Sequence, residues 1–466
     1  MTGALDPTPL IEDLAGAFSD ARLNDRLATI VRAMARAPSA SWPSVCTPAE
    51  LEGAYRFFSN GRVTPEAILQ PHFDHTAQRA RAEPRVLVVH DSTDFSFRVD
   101  GARKGLGRVQ KSTQTFFGHF SLVLSADGTR RPLGLAAMTT WVRGPKPSGT
   151  EHQRWLTQMT ATAKSLDLGT RAIHVCDREA DDYCILHDLS ADDTRFIIRA
   201  NTDRWTLDEA GVVAKLDSAM TSCEIAVQRQ ATLSRRRHER SEKRTKTHPA
   251  RAPRDAKLAI AATRLAPLRP YGYVQKFPDR AHLPEALPVN VVRVWEPSPP
   301  EGCTPVEWFL YTNEPIATAQ DLLDIVDHYR ARWVIEEYFK ALKTGCGYES
   351  RQLEEYESLL NALAVSAPIA YEALRIRTLA RTHPNAPASA VATDLQIALL
   401  RQLGRRKLPE HPTARDVLLA IAALGGHIQY APDPGWLTIY RGCQKLALLT
   451  EGALLAAKLQ PRSDQR

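Results

Sequence analysis

The sequence predicts an α/β protein in which a mixed β-sheet is flanked by helical segments at both ends of the chain. Three observations support this fold class: short β-branched runs fill the middle of the chain, a helical segment is interleaved with them, and both terminal regions carry apolar residues at helical spacing. With 466 residues, 43% of them hydrophobic, the chain is long enough for about three domains and a sizeable core.

Residues 1–70 are predicted to form a small helical domain. The stretch PLIEDLAGAFSDARLNDRLATIVRAMARAP has apolar residues at helical spacing, and Thr47, three residues before Glu50, begins a further helix with a capping-box pattern. The other positions of the first stretch carry four arginines: Arg22, Arg26, Arg32 and Arg36. A DNA-docking unit would use such arginines, although an ordinary solvated surface explains them equally well.

From about residue 84 the pattern changes to strands. The run RVLVVHDSTDFSF is predicted to be a strand that ends on Asp91, and RAIHVCDREADD a strand that ends on Asp177. Between them, HFSLVLSADGTRRPLGLAAMTTWV predicts a hairpin that turns at Asp127 and Gly128, and GTEHQRWLTQMTATAKSL predicts a helix. The strand TRFIIRAN completes an α/β core with mixed strand pairing.

Residues 205–310 show weaker order, with strand signals resuming at VNVVRVWE and VEWFLYTNE. Within them a basic run from Ala231 to Lys257 sets ten Lys and Arg residues against three acids. Such a run is typical of a solvated, mobile loop; an arm that follows a phosphate backbone is the alternative if the neighbouring core acts on DNA. From about residue 376 the chain is again predicted to be helical, in ATDLQIALLRQLGRRKL, ARDVLLAIAALGG and GCQKLALLTEGALLAAKL.

Composition narrows the class of protein. The first residues lack a basic segment followed by an apolar core, and no apolar run approaches the roughly 18 residues of a membrane span, so we expect a cytoplasmic protein. Seven scattered cysteines, never spaced C-x-x-C, support neither a zinc site nor a disulfide framework. The formal charge of +7 and a pI near 9.0 suit a polyanionic partner.

One predicted helix, YRARWVIEEYFKALKTG, carries polar residues that return to the same face. At about 100° per residue these side chains fall within a sector of roughly 80°. The members of this stripe are Tyr329, Arg332, Glu336, Lys340 and Lys343. A solvated face with a Glu336–Lys340 pair would explain the stripe, and so would a site that handles phosphate.

Three acids can meet near this helix. Asp91 and Asp177 end predicted strands, where side chains are exposed at a sheet rim, and Glu336 lies on a helix that can pack across that rim. Carboxylates without histidine or cysteine favour Mg²⁺ or Mn²⁺. Two such ions about 3.5–4 Å apart would activate an attacking oxygen and stabilise the leaving oxygen in phosphodiester cleavage. Taken singly, each aspartate could equally well cap a turn or helix.

Together these blocks resemble the DDE transposases of bacterial insertion sequences, in particular the IS-four family of cut-and-paste elements. That family carries Y-x2-R-x3-E-x6-K on the helix of its third carboxylate, and Tyr329, Arg332, Glu336 and Lys343 match it. The blocks HDSTDFSF and VCDREAD are similar to the family's aspartate motifs, and GAYRFFSN and ALGG resemble its flanking domains. The likeness spans nearly the whole chain.

The resemblance implies a fold and a domain order. It implies a ribonuclease-H-like catalytic core at residues 71–375 with a β-rich insertion at about 205–310. It also implies that residues 1–70 bind the transposon ends and that residues 376–466 form a helical region used in homodimerisation. In such enzymes the first aspartate bridges two ions, here Mg²⁺ or Mn²⁺, so this role falls to Asp91, while Asp177 and Glu336 each bind one ion.

The resemblance also implies a reaction: nicking of double-stranded DNA at the transposon end, hairpin formation by the freed 3′-hydroxyl, hairpin opening, and strand transfer into target DNA. Trp308 occupies the position of the family's stacking tryptophan, where a flipped base would lie on the ring; core packing is the other explanation. The residues expected to hold the surrounding phosphates are Tyr329, Arg332, Lys340, Lys343 and, with weaker support, Arg199.

Two alternatives remain open from the sequence. Another ribonuclease-H-like nuclease, such as a resolvase, would share the acids but would need neither the final lysine of the signature nor a stacking tryptophan. A non-catalytic DNA-binding regulator derived from a transposase would keep the fold, and intact Asp91, Asp177 and Glu336 argue against it.

Overall fold

The structure is a computed structural model that describes residues 7–98, 103–107, 113–143, 151–234, 250–428, 430 and 433–459. Most of the basic run, residues 235–249, lies outside the described residues. The described helices are α1 Thr8–Asp13, α2 Ala21–Arg36, α3 Trp42–Val45, α4 Pro48–Phe58, α5 Pro65–Arg81, α6 Glu151–Leu166, α7 Tyr183–Ala191, α8 Leu216–Thr221, α9 Tyr273–Lys276, α10 Ala319–Ala331, α11 Trp333–Lys340, α12 Tyr356–Thr382, α13 Asp394–Leu403, α14 Ala414–Leu424 and α15 Trp436–Leu459.

The described strands join into one large mixed sheet. They are β1 Val86–Arg98, β2 Thr113–Ser125, β3 Pro132–Trp141, β4 Ala172–Cys176, β5 Arg195–Arg199, β6 Trp205–Leu207, β7 Val213–Lys215, β8 Val227–Leu233, β9 Arg254–Pro267, β10 Val289–Trp295 and β11 Glu307–Thr312. Across the sheet the order is β3-β2-β1-β4-β5-β11-β10-β9-β6-β7, and β8 also pairs with β9. The predicted mixed α/β fold class is confirmed at this level.

Helices cover both faces of the central strands. Along β1, Leu87 and Val89 join the core cluster that contains residues of α11, whereas Val86 and Val88 pack with residues of α5 and α6. This alternation follows from the two-residue repeat of a strand, and burial on both faces explains why β1 and β4 begin as nearly continuous apolar runs.

Strand β1 is longer than predicted. The sequence placed its end at Asp91, but the strand continues to Arg98 because β2 pairs with it in antiparallel register over its full length. The parallel pairing with β4 stops one residue before Asp91, because its last partners are His90 and Cys176. Asp91 therefore lies inside a strand and still at the edge of the parallel part of the sheet.

The predicted β-rich insertion continues the central sheet instead of forming a separate layer. Strand β11 pairs antiparallel with β5, β10 pairs with β11, and β9 pairs with β10. The hairpin of β6 and β7, together with β8, extends the other edge of β9. The chain thus leaves the core after β5 and returns to it through β11.

Two predicted domain boundaries fall inside continuous helices. The boundary at 70/71 lies within α5, Pro65–Arg81, and the boundary at 375/376 lies within α12, Tyr356–Thr382. The predicted N-terminal capping box is present, since Thr47 and Glu50 exchange hydrogen bonds at the start of α4. The helical segments are therefore joined to the sheet by shared helices, with no extended linker at those two positions.

Helix α12 is the central helix of the fold and has no predicted counterpart. Its first three quarters are buried nearly all round, and the Asn361 amide donates to the backbone carbonyls of Phe58 and Val63. By length and composition α12 could cross a membrane, yet 78% of its most apolar window is buried inside the described protein. This burial is what a core helix of a large domain shows.

Helices α14 and α15 cross at two glycines. A Cβ on Gly442 would stand 1.9 Å from the carbonyl oxygen of Ile421, and one on Gly425 would stand 1.9 Å from that of Thr438. Backbone thus contacts backbone at this crossing. Beyond it the second half of α15 presents five exposed leucines to solvent: Leu448, Leu449, Leu454, Leu455 and Leu459.

Candidate active site

Three neighbouring parallel strands end their pairing at the same level of the sheet. His90 of β1 pairs with Cys176 of β4, which in turn pairs with Ile198 of β5. The next residue along each strand is therefore Asp91, Asp177 or Arg199, side by side at one edge, which we call the acid edge. The sequence suggested that the two aspartates could converge, because each ends a predicted strand, where side chains are exposed at a sheet rim.

Arg332 joins two of the candidate carboxylates directly. It lies where α10 ends and α11 begins, so that its side chain reaches the acid edge from the helix layer. Its Nη1 donates to Oδ2 of Asp91 at 2.7 Å, and its Nη2 donates to Oε1 of Glu336 at 2.8 Å. The Arg332 side chain is only 11% exposed, and charge-assisted bonds in such surroundings are strong.

Asp91 is the most perturbed carboxyl group of the site. Burial raises its pKa to about 7; Arg332 opposes this shift, while the negative charges of Asp177 and Glu336 add to it. The backbone N–H of Ser92 donates to Oδ1 of Asp91 at 2.8 Å. The acid edge therefore holds more negative charge than one guanidinium can neutralise.

Asp177 follows β4 directly, as predicted, and is partly buried. Its carboxylate accepts a hydrogen bond from the backbone N–H of Glu179 at 2.8 Å and so caps the short 3-10 turn Arg178–Ala180. This capping role and a role in chemistry are compatible, because the hydrogen bond uses only Oδ1 of the carboxylate.

Tyr329 and Trp308 lie together beside the acid edge. Their ring centroids are 5.2 Å apart with planes tilted by 59°. Burial raises the pKa of Tyr329, while the guanidinium groups of Arg199 and Arg332 lower it. The indole nitrogen of Trp308 is buried and has no hydrogen-bond partner among the described residues. The structure thus groups Trp308, Tyr329 and Arg199, which the sequence analysis named separately.

Lys340 does not pair with Glu336, as the solvated-face explanation of the stripe assumed. Its exposed ammonium contacts Oε1 of Glu337 at 2.8 Å, whereas Glu336 is paired with Arg332. The reason is that the Arg332 guanidinium, one turn earlier, already holds Glu336.

Lys343 lies in a single π-helical turn, Ala341–Gly345, that follows α11. The Lys343 ammonium lies 3.5 Å from Oδ1 of Asp94 and 3.8 Å from Oε1 of Glu349, and 5.3 Å from the ring centroid of Phe95. It thus stands beside β1, three residues beyond Asp91.

A group of buried histidines, which the sequence analysis missed, lies next to Asp91. His90 Nε2 is 2.9 Å from His174 Nδ1 with the rings nearly parallel, and Ser121 Oγ is 3.0 Å from His90 Nδ1. Burial lowers the pKa of His119 to about 3 and that of His174 to about 4, so these rings are neutral. The one signal available in the sequence was the position of His90 directly before Asp91.

The donor set at the acid edge fits a hard divalent cation, since it consists of carboxylate oxygens. Burial raises the pKa of Asp91, and the charges of Asp177 and Glu336 add to that shift, so a bound cation would relieve an unfavourable charge. Within the described part of the chain, however, no three His, Cys, Asp or Glu side chains stand close enough together to hold an ion as they are placed. The bridge formed by Arg332 occupies oxygens of Asp91 and Glu336 that an ion would need.

Comparison with known proteins gives two family matches. Residues 84–369 match the model of the transposase DDE domain, and residues 12–63 match that of a transposase DNA-binding domain. Among solved structures, the chain is similar to a cryo-EM structure described as a piggyBac transposase synaptic complex with hairpin DNA. That match has 7% identity and a TM-score of 0.34 and covers 86% of this chain and 59% of the other, too weak a likeness to support an argument.

Proposed function

The chain belongs to the family of DDE transposases, and on this basis we propose that it is a cut-and-paste DNA transposase of the IS-four type. It binds transposon ends, nicks them, forms and opens a DNA hairpin, and joins the 3′ ends to target DNA. The Y-R-E-K signature of Tyr329, Arg332, Glu336 and Lys343 supports this subfamily.

One observation carries the proposal: Arg332 bonds both Asp91 and Glu336 at the edge where Asp177 follows β4. An ordinary structural ion pair needs one acid for one arginine. Collecting acids that repel one another around a largely buried Asp91 destabilises the fold, and such perturbed carboxyl groups are typical of functional sites.

The same reasoning extends to the fold and the domains. Strand order β3-β2-β1-β4-β5, with β1, β4 and β5 parallel, supports a ribonuclease-H-like core. We assign residues 12–63 to binding of transposon ends, in line with the DNA-binding family match. The exposed leucines of α15 support the C-terminal region as the surface that pairs two copies in the DNA-bound complex.

In this proposal Asp91, Asp177 and Glu336 hold two Mg²⁺ or Mn²⁺ ions. When bound, the ions supply activation of the attacking oxygen and stabilisation of the leaving oxygen. Arg332 then exchanges its carboxylate partners for a DNA phosphate, for which its planar guanidinium is equally suited. Lys343 and Lys340 bind neighbouring phosphates as point charges.

Trp308 supplies the aromatic surface for a base flipped out of the hairpin. Its packing on Tyr329 holds the indole in place, and stacking a base on such a ring stabilises the complex by about 1–3 kcal/mol. We assign the phosphate of that nucleotide to Arg199; its position next to Asp177 and near Tyr329 supports this assignment. We propose that the protein does this work in the bacterial cytoplasm, at the nucleoid.

The test uses DNA from each side of the gene, labelled across the candidate ends and incubated with the protein and Mg²⁺ or Mn²⁺. Asp177→Asn is the inactive variant, and Asp94→Asn is the matched control, because Asp94 lies on β1 away from the Arg332 bridge. We expect nicks and then hairpins with the wild type and with Asp94→Asn, and neither with Asp177→Asn. Nicks without hairpins would point to a nuclease of another type, and specific binding without nicks to a regulator.

A further inference from the structure

Glu337, the residue after Glu336, connects three helices. Its Oε1 accepts from Lys340 at 2.8 Å on its own helix, α11. Its Oε2 accepts from the guanidinium of Arg377 on α12 and, at 3.2 Å, from the indole N–H of Trp436 at the start of α15. One carboxylate thus fastens the helix of Glu336 to the C-terminal helices.

The partners of Glu337 are themselves fixed. Arg377 is 11% exposed, and its guanidinium lies over the Trp436 ring at 4.4 Å from the centroid. Burial acts to raise the pKa of Glu337, but the hydrogen bonds from Lys340 and Arg377 outweigh it and lower the pKa to about 2. Glu337 is therefore ionised throughout the physiological range and held by charge-assisted bonds.

Helix α11 is short: its eight residues follow Arg332, where the chain passes from α10, and end in the π turn Ala341–Gly345. Its rotation is therefore fixed by side-chain contacts, those of the buried Ile335, Tyr338 and Phe339 and those of Glu337. Side chains of consecutive residues point about 100° apart, so that when Glu337 faces the C-terminal helices Glu336 faces the acid edge. Turning α11 by about 10° would shift a carboxylate some 7 Å from the axis by about 1 Å.

We infer that Glu337 is a positioning residue: through Arg377 and Trp436 it sets the rotation of α11 and thereby holds Glu336 in register with Asp91. This inference rests on the proposed function, because it assumes that Glu336 takes part in the chemistry. A displacement of about 1 Å at a reacting group can lower a rate about 10²-fold. The C-terminal region then contributes to catalysis itself, in addition to any contact between copies.

The test must remove the anchor without unfolding the chain. The double variant Glu337→Met/Arg377→Met replaces a largely buried ion pair by apolar side chains of similar length, an exchange that proteins often tolerate. The matched control is Glu372→Met/Arg375→Met, which removes a comparable pair with bonds of 2.6 and 2.7 Å inside α12, one that does not involve α11.

Single-turnover cleavage and binding of labelled end DNA are measured for both variants and the wild type, together with thermal unfolding and the Mn²⁺ concentration for half-maximal cleavage. We expect the Glu337 variant to bind ends and unfold like the control, yet to cleave at least tenfold more slowly and to require more Mn²⁺. Cleavage at the wild-type rate, or equal losses in cleavage, binding and stability, would overturn the positioning role. A wild-type protein that binds ends but never cleaves them would refute the proposed function and this inference with it.

Discussion

Replacing Asp91 by Asn is expected to stabilise the metal-free protein, and increasingly so as pH rises. Asp91 is buried among other carboxylates, which moves its pKa from the ordinary 3.8 to about 7. An unfolded chain loses this proton near pH 3.8 and the folded chain only near pH 7, so the wild type loses stability as pH rises through that window. A raised acid pKa means that the ionised form is the unfavourable one in the folded protein.

The size of the effect follows from that window. A shift of about 3 pKa units at about 1.4 kcal/mol each gives about 4 kcal/mol at pH 8, and about 1.6 kcal/mol at pH 5. Asn carries no charge, but it places an NH2 group where Asp91 has its second oxygen, so it gives up either the bond from the Ser92 N–H to Oδ1 or the bond from Arg332 to Oδ2. The lost bond offsets part of the gain at both pH values, and the growth of the gain with pH remains.

The assay is urea unfolding followed by circular dichroism, with a chelator present, at pH 5 and pH 8. Asp94→Asn is the control, for which the expected change in stability has the opposite sign. Burial acts to raise the pKa of Asp94, but Lys343 and Ser96 outweigh it and lower the pKa. The ionised form is therefore the favourable one, and Asp94→Asn should be less stable than the wild type at pH 8. If the advantage of Asp91→Asn did not grow between the two pH values, or if both variants moved the same way, the electrostatic account of the acid edge would be wrong.

Three further predictions concern the side chains proposed to contact DNA and the N-terminal helices. Lys343→Ala should slow end cleavage at least tenfold, because Lys343 stands beside β1. Lys340→Ala should slow it only about twofold, because Lys340 is held by Glu337, whose carboxylate faces the C-terminal helices. Single-turnover cleavage followed on gels compares the two variants. Trp308→Ala should leave nicking intact and lower hairpin yield about tenfold, because it removes about 1–3 kcal/mol of base stacking. Trp308→Phe keeps an aromatic ring, so a Phe variant without hairpin activity would contradict the stacking role. Thr47→Ala should lower the free energy of unfolding by about 1 kcal/mol through loss of the α4 cap, measurable by thermal melting, with Ser restoring it.

Parts of this architecture could be predicted because a local pattern determined them. The buried run before Asp177 ends where its strand ends, and Thr47 and Glu50 form the capping box that their spacing indicates. The convergence of Asp91 and Asp177 was inferred from their places at strand ends, and in the structure their strands are parallel neighbours.

Other parts depended on long-range contacts that no local pattern contains. Helix α12 went unpredicted because burial on nearly all sides removes the polar face by which a helix is recognised. Arg332 and Glu336 of the stripe are in contact. The choice of Glu337 as the partner of Lys340, however, depends on helices that come later in the chain.

The continuity of the sheet across β5 and β11 has a mechanical consequence. Trp308 lies on β11 two residues from Leu310, which pairs with Arg199 on β5 at the level of the acid edge. A bent duplex pressing on this indole would load a ladder of backbone hydrogen bonds, which is far stiffer than a loop. In the proposed reaction, load on this indole would pass from β11 through β5 to β4 and β1, the strands that carry Asp177 and Asp91.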